Sequence, residues 1–119
     1  MATALQSAVA KEDVGMIATL LAAKASPAVR TETGLTALHI ASATGNVRCV
    51  QMILDQAEAD GQTRMILDNS TNDHEETPLY VAAQYDHASV CEALLRAKAD
   101  PSLKTHDGET SLWIAARHG

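Results

Sequence analysis

The side chains with the widest chemical range in this 119-residue chain are two cysteines, Cys49 and Cys91, and five histidines, His39, His74, His87, His106 and His118. Both cysteines fall inside apolar helical quartets, where a thiol packs as a small hydrophobe. A reactive thiolate needs an accessible, electropositive setting, which these positions do not offer, so both are expected to be buried. The histidines form neither an i, i+4 pair nor a partnership with a Cys-x-x-Cys, the spacings that zinc sites use, so no metal is expected. His39 is expected to satisfy backbone groups beside Thr36, and His87 to open a helix, while His74, His106 and His118 fall at turns and at an exposed helix end.

The acidic stretch from Asp68 to Glu76 invites comparison with a calcium loop, with Asp68, Ser70 and Asn72 at the first, third and fifth positions. The comparison fails because Asp73 stands where the sharp turn requires glycine and Leu79 where a bidentate glutamate is required. No glycine-rich phosphate loop, Ser-His-Asp order or paired-carboxylate motif is present, so neither a cofactor nor catalysis is expected.

Composition sets the elements that must position these groups. Nine Lys and Arg stand against 15 Asp and Glu, a formal charge of -6, which lacks the electrostatic footprint of a nucleic-acid binder. Hydrophobic residues reach 46% while aromatics are 3% and Phe is absent; 22 alanines favour helices at close approach over strands. No apolar run is long enough to enter a membrane as a spanning helix. The stretch from Met16 to Ala23 follows Lys11, Glu12 and Asp13, the wrong order for a signal peptide. These features, with the absence of a multi-cysteine framework, lead us to expect an intracellular chain in which the Asn69-Ser70-Thr71 sequon is coincidental.

Self-similarity is the dominant signal. Thr3-Ala4-Leu5, Thr36-Ala37-Leu38, Thr77-Pro78-Leu79 and Thr110-Ser111-Leu112 each precede an alanine three residues after the leucine. Two of the three intervals are 33 residues; the middle one is 41, as one insertion of eight would produce. Each threonine predicts an N-cap, and Pro78 sits at the first helical position, where a missing N–H costs nothing. Eleven residues after each of the first three leucines an apolar quartet begins: Met16, Ile17, Leu20, Leu21; then Cys49, Val50, Ile53, Leu54; then Val90, Cys91, Leu94, Leu95. That spacing predicts a second helix in each unit. Gly45 marks the turn between helices, and the stretches from Pro27 or Pro101 to Gly34 or Gly108 read as turns or hairpins.

Taken together, these residues resemble the ankyrin repeat family, whose unit carries a T-P-L-H-x-A-A-x-x-G signature. The resemblance is clearest in 34–41 and 99–119 and covers nearly the whole chain outside 56–68. It implies an all-α solenoid of stacked helix-turn-helix units joined by short β-turn or hairpin connections. The units span approximately 1–30, 31–71 with the insertion, 72–104 and 105–119, the last incomplete. His39 fills the fourth signature position, which Gln6, Tyr80 and Trp113 take elsewhere, so the hydrogen bonding of that imidazole is not expected to repeat. Lys24 and Lys98 stand at left-handed helix ends where the family has glycine, at a cost of roughly 1 kcal/mol each. Extension of the outer helix through Ala57, Glu58 and Ala59 is expected to absorb the insertion. The final unit lacks an outer helix, so Trp113, Ile114 and Ala116 are expected to be partly exposed, as in a fragment of a longer repeat protein or a chain completed by another molecule.

The resemblance further implies a protein–protein interaction module, binding through hairpin tips and exposed inner-helix positions on a concave surface. Carried over, the tips are Glu32, Thr33 and Leu35; Asp73, His74 and Glu76; and His106, Asp107 and Glu109. The inner-helix positions are Ala43 and Thr44, Gln84 and Tyr85, and Arg117 and His118. Tyr85 is the best anchor, with packing over a neighbouring turn as its alternative role; Trp113 is divided between anchoring and internal packing. The acidic tips favour a partner with a basic face. Alternative functions are a regulatory or inhibitory domain of an enzyme such as a kinase, or a segment of a longer scaffold stacking through its open C-terminal end.

Overall fold

Each threonine of the repeated motif starts a helix. In the computed structural model, which describes residues 3–71 and 74–118, the inner helices are α1 (Ala4–Ala10), α3 (Ala37–Thr44), α6 (Pro78–Gln84) and α8 (Ser111–His118). The hydroxyls of Thr3, Thr36, Thr77 and Thr110 accept the backbone N–H three residues on, at 3.1, 3.4, 3.3 and 3.1 Å. These bonds satisfy a donor that the first turn would otherwise leave open. The apolar quartets lie on the outer helices α2 (Val14–Ala22), α4 (Val47–Ala59) and α7 (Ala88–Arg96).

Inner helices stack in the order α1, α3, α6, α8 and outer helices in the order α2, α4, α7. The core runs continuously between the two layers: Leu5, Leu38 and Leu79 from the motif meet Ile17, Val50, Ile53, Val90 and Leu94 from the quartets. Ala8, Ala41 and Ala82 are buried where helix backbones approach, which explains why the core is built with so few aromatics.

Left-handed residues end the helices at repeating positions. Glu12, Gly45 and Asp86 follow the inner helices, and Lys24, Gly61 and Lys98 follow the outer ones. Lys24 and Lys98 hold φ of 69° and 78°, the strained setting expected for them. Gly45 has a second reason to be glycine besides its φ of 80°: a Cβ there would lie 2.5 Å from Nδ1 of His87.

The insertion is absorbed in two ways rather than by helix extension alone. α4 has 13 residues against nine in α2 and in α7, and beyond Gly61 a further short helix, α5 (Thr63–Leu67), forms. Ile66 and Leu67 are fully buried. An apolar Met65-Ile66-Leu67 triplet cannot remain in a solvated loop, so the extra chain folds back to cover itself.

Three turns link the units, and a threonine closes each. The N–H groups of Thr31, Thr71 and Thr105 donate to the carbonyls of Leu35, Glu76 and Glu109 at 2.8, 3.0 and 2.8 Å. Their hydroxyls accept the N–H groups of the same three residues at 3.1, 3.1 and 3.2 Å. The second clasp encloses one residue more than the others. Among the described residues no strand forms, because each turn closes on a single backbone pair rather than a ladder.

At the C-terminal side one expectation is corrected. Ile114 is buried against Tyr80 and Ala83 instead of partly exposed, because it lies on the α8 face turned to α6. Leu112 instead is 74% exposed, although it holds the position of Leu5, Leu38 and Leu79. Those three are covered by the outer helix of their own unit; none of the described helices lies over Leu112. Trp113 and Ala116 are exposed as expected.

Candidate functional site

The fourth residue of the motif fixes the turns that edge the concave surface. The Nδ1 of His39 accepts the N–H of Thr36 at 3.1 Å, and Nε2 therefore carries the proton it donates to the carbonyl of Glu76 at 2.8 Å. Burial pulls this imidazole down to a pKa of about 4, so it is neutral. The expectation that these bonds would not repeat is overturned at Gln6. Its amide oxygen accepts the N–H of Thr3 at 2.9 Å and its amide nitrogen donates to the carbonyl of Val29 at 2.8 Å. A primary amide offers the same acceptor and donor as a neutral imidazole, which is why glutamine serves at that position. Tyr80 makes the reach in its own way, its hydroxyl donating to the Glu109 carboxylate at 2.6 Å. Burial and the neighbouring acids push the phenol far above its ordinary range.

Against these fixed turns the inner helices form a groove of about 410 Å³. Leu35, Thr44, Glu76, Gln84 and Tyr85, all expected from the sequence, line it together. Ala43 joins them, and so do His39, expected only to satisfy backbone groups, and three residues that sequence reasoning did not single out, Ala10, Ile40 and Val81. Ile40 and Ala43 are three apart on α3, and Val81 and Gln84 three apart on α6, which is a legible signal of one shared face.

Tyr85 is 57% exposed and its ring stacks on His87 at 6.3 Å between centroids, the packing over a neighbouring turn weighed as its alternative role. His87 caps no N–H at the start of α7; its Nε2 donates to the carbonyl of Ala43 at 3.0 Å, tying the α6–α7 turn to α3. Glu76 is half-buried at the tip end of the groove. Burial raises its carboxyl pKa, the His74 side chain opposes the rise, and the Glu109 charge adds to it.

The remaining expected residues lie outside the groove's walls. Glu32 and Thr33 are exposed on the first tip, where the Thr33 hydroxyl meets that of Thr31 at 3.1 Å. His74, His106 and Asp107 are exposed on the second and third tips, and the N–H of His106 donates to the carbonyl of His74 at 2.8 Å, joining the two. Arg117 lies 5.5 Å over the Trp113 ring on α8. Asp73 and the side chain of His118 fall outside the described residues.

The groups weighed for chemistry are otherwise engaged. Cys49 is buried, and burial followed by the Glu12 charge pushes its thiol up. Cys91, expected to be buried, is half-buried beside the Tyr80, Ala83 and Ile114 cluster, and burial followed by Asp86 raises its thiol too. The correction follows from the uncovered side of α7 and α8. Asp68, first residue of the rejected calcium loop, pairs with Arg64 at 3.1 Å. Among the described residues no group of three or more His, Cys, Asp or Glu is placed to hold a metal ion. No helix among them is long and apolar enough to cross a membrane.

Comparison with known proteins agrees with this architecture. A family model described as ankyrin repeats (many copies) matches residues 3–54, and a second, ankyrin repeats (3 copies), matches residues 63–119. The chain is 31% identical over 98% of its length to an E3 ubiquitin-protein ligase, KEG, of Arabidopsis thaliana, and spans 7% of that protein. It is 30% identical over 75% of its length to the NF-kappa-B inhibitor alpha of Rattus norvegicus and to that of Mus musculus, spanning 27% of each. Ankyrin repeats are protein–protein interaction modules. With the capped motif, the stacked helix pairs and both family matches, the chain belongs to the ankyrin repeat family.

Proposed function

We propose that this ankyrin module binds its protein partner on the concave surface, through the groove between α3 and α6 and the acidic turns beside it, and carries no catalysis of its own. The observation that supports this most is the convergence of Leu35, Thr44, Glu76, Gln84 and Tyr85 on one apolar-floored groove, with Tyr85 exposed at its rim. A tyrosine so placed offers rigid apolar area and a polar tip, the combination enriched at interface hot spots. Excess acid on the tips selects a partner with a basic face and works against nucleic acid. An intracellular setting fits two cysteines that remain free thiols. The relatives' names, a ligase and an inhibitor, suit a regulatory or recognition segment within a longer protein. A second reading rests on the exposed Leu112 and Trp113 of α8, which suit stacking onto further units of a scaffold.

Affinity capture at low and at high salt, with proteins identified by mass spectrometry, separates these readings. The concave-surface reading predicts a salt-sensitive partner that a Tyr85→Ala, Asp73→Lys double variant fails to retain. Retention by that variant, with loss on Leu112→Asp instead, moves binding to the α8 face and contradicts the proposal.

A further inference from the structure

The groove is chemically graded from one end to the other. At the turn end stands the half-buried Glu76 carboxylate, with the Glu109 carboxylate close enough to disfavour its ionisation and itself held in place by the Tyr80 hydroxyl. In the middle the floor is apolar, made by Ile40, Ala43 and Val81. At the far end Thr44, Gln84 and Tyr85 offer hydrogen-bonding groups. The Arg30 guanidinium of the neighbouring tip donates to the carbonyl of Ser70 at 2.7 Å, and Lys104 is exposed before the third turn.

A carboxylate in this position is short of solvation, and the His74 side chain offsets the Glu109 charge beside it. The burial makes a cation supplied from outside more favourable there than at a fully solvated acid. The apolar floor next to it calls for a side chain without charge. α6 begins one residue after Glu76's neighbour Thr77 and ends before Tyr85, a length of about 10 Å at the helical rise. An extended chain covers that in about three residues.

We infer that the groove accepts an extended segment of a partner protein in which a lysine or arginine stands two or three residues from one large apolar side chain. The cation meets Glu76 and the apolar group lies over Ile40, Ala43 and Val81. This rests on the concave-surface reading above and adds to it a recognition chemistry and an orientation. Glu76 is a convenient probe because its backbone carbonyl, not its carboxylate, receives His39, so Glu76→Gln leaves that bond in place.

The test is selection of a displayed library of random octapeptides on the folded chain at low salt. Fluorescence titration of one enriched sequence and of its Lys/Arg→Gln version then follows. Enrichment of Lys or Arg two or three positions from Leu, Ile, Phe or Trp is expected. Glu76→Gln should weaken the basic peptide about tenfold while leaving the Gln version unchanged. Ala43→Arg and Gln84→Arg, each checked for an unchanged melting curve, should abolish both. Enrichment without a basic position, no enrichment, or equal weakening of both peptides by Glu76→Gln overturns the inference. Binding blocked by Ala43→Arg yet indifferent to Glu76→Gln does so while sparing the concave-surface reading; binding indifferent to Ala43→Arg and Gln84→Arg overturns that reading as well.

Discussion

His39 and Gln6 do one job with different chemistry, and the difference has a pH signature. The imidazole ordinarily takes up a proton near 6.5, but in the folded chain it does so only near 4. Protonation would remove the Nδ1 acceptor used by Thr36. The unfolded chain therefore binds the extra proton first, so the contribution to stability is whole above pH 6.5, declines as pH falls from 6.5 towards 4, and is flat below. Over that window the loss amounts to roughly 3 kcal/mol. His39→Gln, which copies the residue at the equivalent position of the first unit, should leave stability near pH 7.5 within about 1 kcal/mol and remove this part of the acid sensitivity. Urea melts of both chains at pH 7.5 and 4.5 check it; the same loss in the variant would place the titrating group elsewhere. The sequence made His39 legible because it sits in a recognised motif. It hid Gln6, since the equivalence of an amide and a neutral imidazole lies in hydrogen-bond geometry rather than residue type.

Among the elements, the repeated helix pairs were readable almost to the residue, because capping threonines, Pro78 and the apolar quartets are local signals that agree with the global stacking. The insertion was not. Ala57, Glu58 and Ala59 announce an extended α4, but no capping signal in Gln62 to Leu67 announces a second helix, because α5 exists only through what it covers. Its side-chain cap is missing and it spans five residues, so propensity alone would not hold it. Burial of Ile66 and Leu67 must do so, and Ile66→Ala should cost about 2 to 5 kcal/mol. Met65, on the same short helix, is 57% exposed, and Met65→Ala should stay within about 0.5 kcal/mol. Denaturant midpoints of the two variants check this pair. Equal effects would mean that α5 is not anchored as described.

At the scale of the whole molecule, a solenoid buries each unit only on its neighbours, so the surfaces that remain are a concave face, a convex face and an uncovered end. The concave face was legible as a position in a family and only partly as chemistry. Leu35, Thr44, Gln84 and Tyr85 were foreseen, whereas the floor of Ile40 and Val81 was not, since one face of an inner helix serves both core and groove. His106, Asp107 and Arg117 were expected with them but lie outside the groove's walls, because the third turn and α8 stand beyond the α3–α6 junction. The uncovered end differs in kind: Leu112 is exposed where its three counterparts are buried. The most direct test of the central claim is site-specific photo-crosslinking in cells. A benzophenone side chain would replace Tyr85 or Thr44 in the groove, Met65 on α5, or Leu112 at the uncovered end. The account predicts a shared partner adduct at Tyr85 and Thr44 that is absent at Met65 and Leu112. An adduct confined to Met65 or Leu112 would contradict it.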